Sequence, residues 1–124
     1  MCSKKIILFW LLFTSVISKA SKIEEAFEAL KIYDYFKAKK LFYSQINQAC
    51  NSAAAYGLAV IYYRNDNPFH QLDSAAKYIS LSGNYFKLNR PKEIYAGFNL
   101  DSLSIFAMAD SVAFKLINKA NKTH

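Results

Sequence analysis

Two cysteines, two histidines and nine carboxylates are the side chains from which a reactive centre would have to be assembled in this 124-residue sequence. A nucleophile needs a base within hydrogen-bond reach and a third group to orient that base. Cys50 and His70 are the one conceivable pair, because His124 stands at the terminus, and no orienting group is in sight. Metal sites need several His, Cys or carboxylate ligands at defined spacings, and no such cluster occurs. The acidic residues are spread one or two per helix, which suits solvated faces rather than an acid and base pair. Gly57, Gly83 and Gly97 are isolated, so no glycine-rich phosphate loop exists. These residues point to a protein that is not an enzyme and holds no cofactor and no metal.

The elements that would carry any site are helical by composition. Hydrophobic residues make up 53% of the chain and charged residues 20%, enough to bury a core. Only three Gly and two Pro occur, and all-β folds need many more tight turns. The formal charge of +7 includes Lys4, Lys5 and Lys19, which lie in a leader; beyond it stand 13 basic against 9 acidic residues. Lysines are scattered except for Lys37, Lys39 and Lys40, a group that reads as a solvated helix face rather than a phosphate-binding stripe. Nucleic acid is not an expected partner.

Residues 1–20 read as an export signal. Lys4 and Lys5 give a positive start, residues 6–17 an apolar stretch, and Ser18-Lys19-Ala20 a small-residue cleavage pattern. A helix that short spans about 18 Å, against the ~30 Å of a bilayer core. An uncleaved anchor is the rival reading, and a core helix would need a polar face. Cys2 precedes the apolar stretch, which does not fit a lipid attachment site. Cleavage would leave Cys50 without an internal partner, as a small buried residue or an unpaired thiol.

From residue 22 apolar side chains recur at helical spacing. Ile23, Ala26, Phe27 and Leu30 form one stripe, with Glu24, Glu25 and Glu28 opposite, near a helix start. Tyr35, Ala38, Leu41, Phe42 and Ile46 form a second, and the short Tyr33-Asp34 connection forces an antiparallel hairpin. Asn51-Ser52 caps a third helix with Ala55, Leu58, Ala59 and Tyr62 inward. Asn65-Asp66-Asn67-Pro68 stops it, and Gln71 or Asp73 opens a fourth through Leu72, Ala75, Ala76 and Ile79. Ser82-Gly83-Asn84 ends or loosens that helix. Residues 91–96 predict a short helix with Pro91 in its first turn. Asp101 or Ser102 caps a last helix reaching about residue 118, with a stripe of Leu103, Phe106, Ala107, Val112, Ala113, Leu116 and Ile117.

The two hairpins superimpose in sequence. Tyr35, Ala38 and Phe42 match Leu72, Ala75 and Ile79, while Ile23, Ala26, Phe27 and Leu30 match Ala55, Leu58, Ala59 and Tyr62. This pattern resembles the tetratricopeptide repeat, in which small residues sit where paired helices cross. The first pair departs from it in Phe27 and a connection one residue short. The second departs in a longer loop, and the closing Pro is absent from both. A narrower resemblance joins Tyr56-Gly57-Leu58-Ala59-Val60-Ile61-Tyr62, Asp66-Asn67-Pro68-Phe69 and Leu72-Asp73-Ser74-Ala75. These runs, with Gly97-Phe98-Asn99-Leu100-Asp101-Ser102-Leu103, look like the repeat region of certain exported Bacteroidetes proteins. There the repeats precede a β-propeller and an OmpA-like domain, neither of which occurs in this sequence.

The resemblance implies an all-α fold of antiparallel helix hairpins stacked as a short tetratricopeptide-like α-solenoid after the signal segment. Residues 21–83 hold two helix pairs, and 84–124 a short and a long helix that form an incomplete further repeat. It implies a periplasmic or outer-membrane-associated scaffold, the leading piece of a larger protein, that binds a protein partner of unknown identity. The first helix of each pair lines a concave groove in such stacks. That groove takes in Tyr56, Val60, Tyr63 and Arg64, with Glu24, Glu28 and Lys31 from the first pair. The rival expectation is a structural bundle whose last helix self-associates or docks into an envelope assembly. The membrane enters only through the signal segment or an outer-membrane partner.

Overall fold

A computed structural model describes residues 21–48 and 50–122. The leader at 1–20 and His124 lie outside the described residues. Five helices follow one another: α1 (Lys22–Lys31), α2 (Tyr35–Gln45), α3 (Ser52–Tyr63), α4 (Leu72–Leu88) and α5 (Ser102–Lys122). A two-stranded antiparallel hairpin, β1 (Ile94–Tyr95) and β2 (Phe98–Asn99), interrupts them between α4 and α5. The described chain is mostly helical, with α1 packed on α2, α3 on α4, and α5 on α4.

Side-chain caps set the helix starts. The Ser21 hydroxyl accepts from the Glu24 amide at 3.2 Å, Asp34 from Lys37 at 3.2 Å, Asn51 from Ala54 at 3.0 Å and Asp101 from Ser104 at 2.8 Å. Each such cap is worth about 1 kcal/mol. The end of α1 is a Schellman turn: the Tyr33 amide donates to the Leu30 carbonyl and the Asp34 amide to the Ala29 carbonyl. Tyr33 takes the left-handed position of that turn, with φ of 64°. Glycine is the usual occupant, so Tyr33 is held there at a conformational cost.

Matched positions of the two hairpins share one environment. Ala38 and Ala75 are both completely buried, as are Ala26 and Leu58, Phe27 and Ala59, and Phe42 is paired in burial with Ile79. The Phe27 ring meets Phe42 edge-on at 4.9 Å and Tyr95 in a stack at 5.1 Å, so the β hairpin closes over the first helix pair. Ala59, Ile79 and Ile105 form a smaller cluster that joins α3, α4 and α5.

Three local expectations are corrected. Helix α4 does not stop at Ser82-Gly83-Asn84 but runs to Leu88. Ser82 is buried, and its hydroxyl donates to the Ser52 carbonyl at 3.0 Å while the Ser52 hydroxyl donates to that of Ser82 at 2.9 Å. The polar residue is therefore satisfied inside the helix instead of competing with it. Residues 91–96 make the hairpin, not a helix. Ala96 and Gly97 have φ of 50° and 89°, the pair of left-handed residues that a tight hairpin turn demands. Helix α5 reaches Lys122, and its inward side matches the expected stripe only at Val112, which is buried: Ile105, outside that stripe, is buried too, while Leu103, Phe106 and Ile117, like Phe114, are 59–73% exposed. Cys50 is buried as expected.

Candidate interaction surface

The groove residues divide between two helices. On α1, Glu28 and Lys31 are exposed, and Glu24 forms an ion pair with Lys92 from the segment before β1. Its carboxylate holds the Lys92 ammonium above its ordinary range by hydrogen bonding. On α3, Tyr56 is half-buried and burial raises its phenol, with the nearby Asp101 charge adding to the effect. Val60 is only 4% exposed and belongs to the core. Tyr63 lies under the Lys115 ammonium of α5, 4.8 Å from its ring centre. Arg64 reaches across to the first helix pair, donating to the Tyr35 hydroxyl at 3.3 Å and lying 5.6 Å above the Tyr33 ring. The α3 side of the expected groove is thus partly covered by α5 and by the α1–α2 turn, whereas Glu28 and Lys31 stand clear.

Arg64 belongs to a small polar network. Tyr35 donates to the Asp66 carboxylate at 2.7 Å. That bond lowers the Asp66 carboxyl, while burial and then the same bond raise the Tyr35 phenol. The network ties the α1–α2 turn to the loop after α3, where Asn67 donates to the Ile61 and Arg64 carbonyls.

A second cluster was not apparent from periodicity. The hydroxyls of Tyr43 on α2 and Tyr62 on α3 are 2.7 Å apart, and Tyr43 and Tyr78 on α4 are 3.0 Å apart. The rings of Tyr62 and Tyr78 stack at 5.7 Å. Burial, then the two neighbouring hydroxyls, push the Tyr43 phenol above its ordinary value. Beside it the Lys39 ammonium sits 4.5 Å from the Phe69 ring centre and 5.3 Å from that of Tyr43. Phe36 meets Phe69 edge-on at 5.0 Å and is itself 67% exposed. The spacing of Phe36, Lys39 and Tyr43 is a second helical stripe on α2, and it was the available sign of this band.

Reactive geometry is not assembled around Cys50 and His70. Cys50 precedes α3 and His70 follows it, so a 12-residue helix separates them, about 18 Å in length. The His70 ring is instead bonded to the Arg64 carbonyl at 3.1 Å. Among the described residues no three His, Cys, Asp or Glu side chains gather as metal ligands would, and no helix is long and apolar enough to cross a membrane. Between α4 and α5 runs an apolar recess of about 520 Å³, lined by Ile79, Gly83, Phe86, Ile105, Phe106 and Ala109, with Lys87 and Arg90 beside it.

Comparison of the chain with protein-family models, with curated proteins and with solved structures gives no match.

Proposed function

We propose that this chain is a non-catalytic, protein-binding helical-repeat scaffold of the cell envelope, exported by its leader and built as a short tetratricopeptide-like solenoid. The observation that carries the reading is the equivalence of Ala38 and Ala75, both fully buried at matched sequence positions of the two hairpins. Repetition of one crossing makes successive pairs stack along a line rather than close into a single bundle. Helix α5 packs on α4, as a further helix of such a stack would. Binding then falls to the exposed part of the concave side, Glu28 and Lys31 on α1 and the rim formed by Tyr63 and Arg64.

The test is affinity capture from envelope extracts with the wild-type chain and with a Glu28→Ala, Tyr63→Ala variant. One captured protein should be lost with the variant while circular dichroism stays unchanged. Identical capture by both chains would reject the groove. Export is checked separately, by the mass of the chain recovered outside the cytoplasm; an intact leader in the cytoplasmic fraction would reject it.

A second reading is favoured by the outer side of α5. Leu103, Phe106, Phe114 and Ile117 present a stripe 59–73% exposed, and exposed apolar surface of this kind favours self-association. Sedimentation equilibrium decides this, because a monomer at all concentrations would exclude it.

A further inference from the structure

We propose that the recess between α4 and α5 binds a single-chain amphiphile with a carboxylate head, a fatty acid. Ile79, Phe86, Ile105 and Ala109 give it apolar walls, and its volume is about 520 Å³. At ~30 Å³ for a group the size of a water molecule, that is room for roughly 17 groups. A methylene is of similar size, so the recess takes one acyl chain with its head and not the two chains of a phospholipid.

Gly83 keeps the recess open. It lies inside the 17-residue α4, where glycine is the poorest helix former after proline. Packing does not require it, because a methyl group added there would meet nothing nearer than the γ2 carbon of Ile105, at 3.8 Å. Its backbone is helical, so no left-handed φ requires it either. What the missing side chain supplies is space between the two helices.

The charge at one end selects the head. Lys87, in the last turn of α4, and Arg90, just beyond it, line the recess, and no carboxylate among the described residues does. Neither cation forms an ion pair with a described carboxylate. The Arg90 guanidinium lies over the Phe86 ring, 4.8 Å from its centre, which holds its planar fork of N–H donors at the recess, the geometry that suits a carboxylate. The acids of α5 are turned elsewhere. Asp101 caps the helix on the Ser104 amide, and its charge bears on Tyr56 of α3. Asp110 falls on the outer stripe, seven residues from both Leu103 and Ile117. The site uses no residue of the concave groove. It shares Phe106 with the outer stripe, so its test must tell a fatty acid from a second copy of the chain.

That test is titration of the full-length, nitrogen-labelled chain with decanoate, a soluble short-chain probe, read by nuclear magnetic resonance. Amide signals of Gly83, Phe86 and Ala109 should shift and saturate at one decanoate per chain. Gly83→Leu, which fills the recess, should weaken binding at least tenfold, roughly the loss of two or more buried methylenes. Arg90→Gln, an exposed substitution that leaves the core untouched, should weaken decanoate about tenfold and leave decanol, the same chain with a neutral head, unchanged. Equal binding of decanol and decanoate by the wild-type chain would overturn the proposal, as would decanoate shifts confined to residues 1–20. Shifts at Gly83 and Phe86 that appear on raising the protein concentration without ligand would put a second copy in the recess and overturn it too.

Discussion

The Phe42 ring lies directly against the α carbon of Gly57, so close that a methyl group added there would overlap the ring. This contact sets the spacing of α2 and α3 and therefore the stacking of the second helix pair on the first. Glycine inside a helix ordinarily costs about 1 kcal/mol relative to alanine. Here that preference reverses, because both neighbours are fixed: Phe42 is fully buried and also packed on Phe27.

Gly57→Ala should accordingly destabilise the chain by about 1–3 kcal/mol, the range for overpacking a filled core. The urea midpoint reads the effect. Combining it with Phe42→Leu should give less than the sum of the two single losses, since the smaller side chain makes room. An unmoved midpoint for Gly57→Ala would contradict the close approach.

Tyr33→Gly should act in the opposite direction. Removing the left-handed penalty stabilises the α1–α2 turn by about 1 kcal/mol, reduced by the loss of the Arg64 contact over the ring. The melting temperature should rise by a few degrees for a domain of this size. A fall would mean that Tyr33 contributes more through packing than its backbone costs.

Ser52 and Ser82 bind one another's carbonyls in a buried reciprocal pair that joins the start of α3 to α4. Ser52→Ala or Ser82→Ala alone should cost about 1–2 kcal/mol, because each leaves a buried carbonyl with one fewer donor. The double replacement should cost less than the sum of the two, as expected for groups in one network. Additive losses would show the serines acting independently.

The helix pairs were legible in the sequence because small and large residues recur at fixed positions between strong caps. Ala38 and Ala75 need no wider context to be placed in the core. The hairpin was hidden for the converse reason. Its strands are two residues each, too short to show alternation, and Ala96 in place of glycine or asparagine conceals the turn. The end assigned to α4 rested on Ser82, whose partner Ser52 is remote in sequence. Helix α3 is buried nearly all round, so its periodicity carried no information about which side faces a groove. The tyrosine cluster draws on three helices, with partners 19 and 35 residues apart, and a single stripe cannot reveal it.

The bond from Tyr35 to Asp66 should make stability depend on pH at both extremes. Asp66 is lowered in the folded state, chiefly by that bond, from the ordinary 3.8. Its contribution is present above 3.8 and is lost as pH falls through the folded value. Tyr35 is raised from the ordinary 10.0, first by burial and then by the bond. Its contribution is present below 10.0 and is lost as pH rises through the folded value. Between these limits the pair's contribution should be level. Tyr35→Phe should return the Asp66 carboxyl towards its ordinary value, followed by its carbon resonance, and should flatten the alkaline loss in urea midpoints. An Asp66 titration unchanged by Tyr35→Phe would show that the carboxylate is held by its backbone and by Asn67 instead.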